Sequence, residues 1–247
     1  MPGHIRMLGS VDICGDGGPW EIGHVRQRAV LAALAAAPAR RLSSAELAWW
    51  VWGDLRPMSA AATLYRYIHR LRRHLEQVPG LAIERGYRLV CAPEQIDHLR
   101  FSSLVRQARA TRDRALAIRL YGDALRLWQD EPCAGLETPA FVSFRQRLTH
   151  ERDAAELDYV DLLLGEGVHA ELLPGLHTRR AERPFDERLA GQLMLALSRG
   201  GRSADALDQY RRFRDRMITE LGREPGRHLR DLQRRILGSA DPGFQPG

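Results

Sequence analysis

Between Arg56 and Leu75 the chain reads RPMSAAATLYRYIHRLRRHL, a stretch with five arginines and no acidic residue. Read as a helix from about Ser59, it places Leu64, Tyr67/Ile68, Leu71 and Leu75 along one side, the spacing of a buried seam. Thr63, Arg66, Arg70 and Arg73 line another side, with Tyr65, His69 and Arg72 beside them. A helix of this kind buries one face only. The rest of the chain must supply a core for the seam and leave the basic side to water or to a negatively charged groove, of which nucleic acid is the obvious example. Pro79-Gly80 then introduces two short extended segments, Leu81–Glu84 and Tyr87–Cys91, joined by a tight turn at Arg85-Gly86.

Upstream, Ile5, Met7, Val11 and Ile13 alternate as a strand or strand pair bent near Gly9. Asp16-Gly17-Gly18 signals a turn, and Trp20-Glu21-Ile22 reads as a short strand pairing back. Val25 to Ala37 is a helix with Val30, Ala33, Leu34 and Ala37 on one buried face, stopped by Pro38. Ser43-Ser44-Ala45-Glu46 has the spacing of a capping box, and it opens a short helix through Trp50 and Val51 that Gly53 closes. Strands, three helices and a hairpin follow one another in the order of a winged helix-turn-helix. After Pro93 everything reads as helix: 98–111, 113–128, 139–165, 168–182, 186–199, 203–221 and 226–237, broken at glycine and proline clusters. The pair 186–199 and 203–221, joined by Gly200-Gly201, looks like a tetratricopeptide-type hairpin, and Ala117-Ile118-x-x-Tyr121 echoes Ala206-Leu207-x-x-Tyr210, without a clean repeat period. The expected fold class is therefore mainly α with a small β component. Its domains are a winged helix at 1–93, an all-α tetratricopeptide-like domain at 97–238 and a disordered tail at 239–247.

A chain of 247 residues accommodates two such domains. No run of about 18 apolar residues exists, so no membrane span is expected, and MPGHIRMLGSVDI lacks the layout of a signal peptide. Cys14, Cys91 and Cys133 are odd in number and far apart, which fits a reducing cytoplasm and neither a disulfide framework nor a zinc site. All 37 basic residues are arginine, and lysine and asparagine are both missing. Codons for the two missing residues begin with two adenines, so a GC-rich genome accounts for the arginine content. The distribution says more: residues 1–95 carry 12 arginines against 8 acids. Without lysine there is no P-loop, Schiff-base or kinase-strand lysine chemistry.

A major groove admits one helix, and its exposed side chains reach base edges. Thr63, Tyr65, Arg66, His69 and Arg70 are the base-reading candidates. Arg72 and Arg73, nearer the helix end, are phosphate candidates, as are Arg85 and Arg88 on the hairpin and Arg26 and Arg28 at the first helix. The bland alternative, a solvated helix face, would mix signs through i,i+4 pairs. Trp49, Trp50 and Trp52 read as core of the first domain. His150-Glu151 lacks the second histidine of H-E-x-x-H, and His169 and His177 have no supporting ligands. No cofactor, metal site, catalytic constellation or enzymatic activity is expected.

These landmarks resemble those of the antibiotic regulatory proteins of actinomycetes, the SARPs, which join an OmpR-type winged helix to a bacterial transcriptional activation domain. The resemblance is carried by Met7-Leu8-Gly9-Ser10-Val11, Arg28-Ala29-Val30-Leu31-Ala32, Leu47-x4-Trp52-Gly53-Asp54, Thr63 through Arg72 and Gly86-Tyr87-Arg88-Leu89. It continues through Asp97-x3-Phe101, Ala124-Leu125-x-Leu127-Trp128, Gln192 through Leu197, Gly201-Arg202, Ala206-Leu207-x2-Tyr210-x2-Phe213-Arg214 and Glu220 through Pro225. It implies a cytoplasmic, nucleoid-associated activator of a secondary-metabolite gene cluster. Such a protein binds promoter repeats on double-stranded DNA, self-associates there and recruits RNA polymerase holoenzyme. By position it also makes helix 59–75 the reading helix and Arg85-Gly86 the wing. Arg26 stands where relatives usually have lysine, which keeps the charge and changes its geometry. With the winged helix read at the very start and helices up to the tail, no receiver or NTPase module is expected. A reading from another class is a helical-repeat interaction protein without specific DNA binding.

Overall fold

The structure is a computed structural model that describes residues 3–15, 18–20, 22–38 and 40–239. The expectations for Asp16-Gly17, for Glu21 and for the tail from residue 240 onward lie outside the described residues. Ser239, read above as tail, is the last residue of a helix.

Three short strands open the chain: β1 (His4–Arg6), β2 (Asp12–Gly15) and β3 (Gly18–Trp20), an antiparallel sheet with β2 in the middle. Ile5 lies opposite Ile13, and both are fully buried, so the alternation read from the sequence sends these side chains to the covered face. Arg6 and Asp12, opposite one another, form a salt bridge of 2.5 Å.

Helices α1 (Val25–Ala36), α2 (Ser44–Trp52) and α3 (Ala60–Leu75) follow. The capping box forms as expected: Ser43 Oγ accepts from the Glu46 amide at 3.1 Å, and Glu46 accepts from the Ser43 amide at 2.7 Å. The Ser43 N–H first, then the Ser43 hydroxyl and the Arg40 guanidinium, hold the Glu46 carboxyl down at about 2. The single buried face expected for α1 needs correction, because Gln27 and every residue from Ala29 to Ala35 are buried. Small alanines let neighbours approach from several sides at once. Helix α3 behaves as its pattern demands and buries Ala60, Leu64, Ile68, Leu71 and Leu75. The hairpin β4 (Ala82–Glu84) and β5 (Arg88–Val90) pairs Ile83 with Leu89. In its turn Gly86 (φ 78°) and Tyr87 (φ 54°) both take left-handed backbone. Such a conformation is costly for tyrosine, and the Leu42 amide steadies it by donating to the Tyr87 carbonyl at 3.2 Å.

A 3-10 turn at Pro93–Gln95 leads into α4 (Asp97–Ala110), α5 (Arg114–Leu125), α6 (Pro139–Gly165), α7 (Leu173–Glu182), α8 (Glu187–Arg199), α9 (Ser203–Leu221) and α10 (Arg227–Ser239). Helix α7 starts five residues later than the expected 168, with Pro174 in its first turn, where a missing N–H costs nothing. Among the described residues no helix is long and apolar enough to cross a membrane.

Packing divides the chain within α6, into Met1–Ala155 and Glu156–Gly247. Pro93 marks a change of secondary structure inside the first unit. There Asp97 Oδ2 accepts from the Met7 and Leu8 amides at 2.8 Å each, and Oδ1 accepts from the His98 amide at 2.7 Å. Burial pushes the Asp97 carboxyl up to about 6 although these donors pull it down, so it is ionised at neutral pH. Burial pushes His98 down to about 4, and its neutral ring donates from Nε2 to the Ala35 carbonyl at 3.0 Å. Thr138 Oγ1 donates to the Trp50 carbonyl at 2.7 Å, and the Trp50 ring meets Phe141 edge-on at 4.9 Å. Strands, α3, hairpin, α4 and the start of α6 thus share one packed body. The second unit has its own core, in which Leu176, Leu193, Leu197, Phe213 and Leu229 are buried. Its helices α8 and α9 are joined through Gly200-Gly201, with Gly201 in left-handed backbone at φ 77°.

Candidate nucleic-acid interface

At about 100° per residue, Arg66 and Arg73 project directly opposite the buried seam of α3, with Ala62 and His69 beside them. Tyr65 forms one flank, and Arg70 with Thr63 forms the other. Tyr65, Arg66, His69, Arg70 and Arg73 are all exposed, Tyr65 by 67%. Thr63 is half-buried, and its hydroxyl accepts from Arg66 Nη2 at 3.3 Å. Seven residues separate Arg66 from Arg73, about 10.5 Å along the axis, close to the rise of three base pairs at about 3.4 Å each. Arg66, Arg70 and Arg73 make no ion pair among the described residues, and the helix offers no carboxylate. Several arginines of other helices are matched by nearby acids on the same helix, as in Arg147–Glu151, Arg212–Asp208 and Arg216–Glu220. Arg72, Arg73 and His74 occupy the last turn of α3, where cations suit the helix dipole.

Arg72 is not placed with the exposed cations. It is half-buried, with Nε donating to the Ile83 carbonyl at 3.1 Å and Nη2 to the Glu84 carbonyl at 3.3 Å. The side chain points across to the hairpin and satisfies two backbone acceptors of β4, so it holds the wing to α3. Arg72→Ala should therefore loosen the hairpin and cost about 1–2 kcal/mol of stability. Arg73→Ala should stay within about 0.5 kcal/mol. Amide exchange over residues 82–90, compared in the two variants, checks this; equal protection in both would contradict it.

The wing is electrostatically mixed. Arg88 is half-buried and pairs with Glu84 at 2.8 Å, and Arg41 lies 3.9 Å from the same carboxylate. Arg85, in the turn, is exposed. Among these arginines, Arg41 is one the sequence reading passed over. It lies between α1 and α2, far in sequence from the hairpin it faces, and no local pattern marks it. Arg26 is exposed in the first turn of α1, whereas Arg28 is half-buried with its Nε enclosed and without a hydrogen-bond partner. The structure thus gathers Tyr65, Arg66, His69, Arg70 and Arg73 on one open surface and turns Arg72 and Arg28 inward.

Of the tryptophans, Trp52 is buried and Trp50 packs on Phe141, but Trp49 is 46% exposed. Glu151 beside His150 is engaged by Arg147 and by the Ser102 hydroxyl. Among the described residues no group of three or more His, Cys, Asp or Glu side chains is placed to hold a metal ion. Burial pushes the thiols of Cys91 and Cys133 up to about 11 and about 12, so both stay protonated at neutral pH.

A winged helix-turn-helix with an unpaired cationic recognition-type helix, packed on an α-helical region, is the architecture of a transcriptional regulator. Comparison with known proteins names the family. Residues 96–237 match the bacterial transcriptional activator domain. The chain is 37% identical over 244 residues to the regulatory protein AfsR of Streptomyces coelicolor, an alignment covering 96% of this chain and 24% of AfsR. It therefore spans about a quarter of that relative's length. Against the regulatory protein DnrI of Streptomyces peucetius it is 31% identical, covering 78% of this chain and 76% of DnrI. The structure of EmbR from Mycobacterium tuberculosis, solved in complex with a low affinity phosphopeptide, superposes with a TM-score of 0.86 at 30% identity, covering 100% of this chain and 66% of that one. The chain belongs to the SARP family of transcriptional activators, as the sequence landmarks implied.

Proposed function

We propose that the chain binds promoter DNA sequence-specifically and activates a secondary-metabolite biosynthetic gene cluster by recruiting RNA polymerase holoenzyme. In this reading it works in the cytoplasm on the nucleoid, with protomers associating side by side on repeated sites. Residues 1–93 supply DNA contact and 97–238 supply activation, a division of labour independent of where packing divides the chain. The observation that carries it is the outer face of α3, where Arg66, Arg70 and Arg73 stand without ion-pair partners among the described residues. Lying in a major groove, that face would put Arg66, with Thr63, Tyr65, His69 and Arg70 beside it, over base edges. Arg73, nearer the helix end, would meet phosphate, as would Arg85 and Arg26 at the edges of the surface.

Footprinting on the intergenic DNA beside its own gene should reveal a repeated protected site. Arg66→Ala should relax base preference there and cost about 1–3 kcal/mol on the cognate site, while Arg73→Ala should weaken cognate and random DNA alike. Equal losses from both substitutions on both DNAs would refute the division. Binding that is absent, or indifferent to salt, at every promoter of the cluster would favour the protein-interaction reading.

A further inference from the structure

Helix α4 borders two clefts in the first unit, and Ser102 and Arg106 line both. One, of about 590 Å³, opens between the end of α1, strand β5 and α4. Its floor is apolar, made by Leu89, Val90, Pro93 and Leu99, and the protonated Cys91 thiol adds to it. Its rim carries Arg40, Arg88 and Arg106, and no carboxylate lines it. Arg40 is engaged by Glu46 and Arg88 by Glu84. Arg106 is exposed and makes no ion pair among the described residues. Arg88 Nε is enclosed and lacks a hydrogen-bond partner among the described residues. The volume lies in the range of small-molecule sites, which join an apolar lining to a few polar anchors. An apolar floor favours a flat hydrophobic body. With Arg40 and Arg88 already matched by Glu46 and Glu84, Arg106 is the rim cation left unmatched among the described residues, and it favours a carboxylate, which it can take in two parallel hydrogen bonds.

We propose that the cleft between α1, β5 and α4 is a binding site for a small amphiphilic carboxylate, its apolar body on Leu89, Val90 and Leu99 and its acid group on Arg106. The site lies away from the outer face of α3, so it stands whether or not that face reads DNA. One wall is β5, a strand of the hairpin, and a bound ligand would brace the wing from behind.

Titration of the purified chain with 2-naphthoate, followed calorimetrically and compared with the neutral 2-naphthamide, tests it. Saturable one-to-one binding of the carboxylate is expected, with the amide weaker by about tenfold or more, because it forfeits the charge-assisted pair with Arg106. Arg106→Ala, an exposed substitution that leaves the core intact, should bring the carboxylate down to the affinity of the amide. Charge-independent binding, an affinity unchanged by Arg106→Ala, or no saturable binding below millimolar concentration would overturn the assignment.

Discussion

Asp97→Ala is expected to destabilise the first unit by about 2–4 kcal/mol, because each buried N–H left without an acceptor costs about 1–3 kcal/mol. Three such donors depend on this carboxylate, on Met7, Leu8 and His98, at 2.7 to 2.8 Å. The side chain is 94% removed from solvent, with a relative exposure of 6%, so water cannot replace it. It also sits in the first turn of α4, where a negative charge meets the positive end of the helix dipole. Asp97→Asn keeps one acceptor and should lose less, about 1–2 kcal/mol. Urea denaturation followed by near-ultraviolet circular dichroism measures both. If Asp97→Ala melts like the native chain, the strands are not held to α4 as described.

The second large effect concerns α3. Replacing Arg66, Arg70 and Arg73 together by alanine should weaken DNA binding by about two to four orders of magnitude at moderate salt. Each phosphate neutralised contributes about 0.9 to the slope of log K against log salt. With Arg73 on phosphate the slope should therefore fall by about 0.9, and by up to about 2.7 where Arg66 and Arg70 displace counterions as well. Folding should be untouched: the three side chains are exposed and make no ion pair among the described residues, and alanine favours a helix. Fluorescence anisotropy across a salt series on cognate and random duplexes reads both quantities. An unchanged slope in the folded triple variant would remove α3 from the interface.

Much of this was legible because local rules decide it. Ser43 and Glu46 close a capping box three residues apart, and Leu64, Ile68, Leu71 and Leu75 share a side of any helix they form. The turn at Arg85-Gly86 has to reverse the chain between two short strands. The same locality explains the errors. The apolar spacing of α1 shows one face that the helix can bury, whereas the neighbours around it determine what it does bury. Three clustered tryptophans signal a core, but Trp49 and Trp50 lie about 100° apart on one helix, and Trp50 packs on Phe141 while Trp49 stays largely exposed.

The sequence by itself determined the order of elements, the seam and basic side of α3, and the family, since spacing and residue type act within a few turns of chain. Only the tertiary structure decided which arginines remain available. Arg72 and Arg73 are neighbours of identical chemistry, yet Arg72 lies against the carbonyls of Ile83 and Glu84 and Arg73 faces outward. Likewise, Pro93 changes the character of the chain but does not divide its packing, because Asp97 reaches back ninety residues to the amides of Met7 and Leu8. A side chain's partners across such separations depend on how elements pack, and no periodicity within one element encodes that.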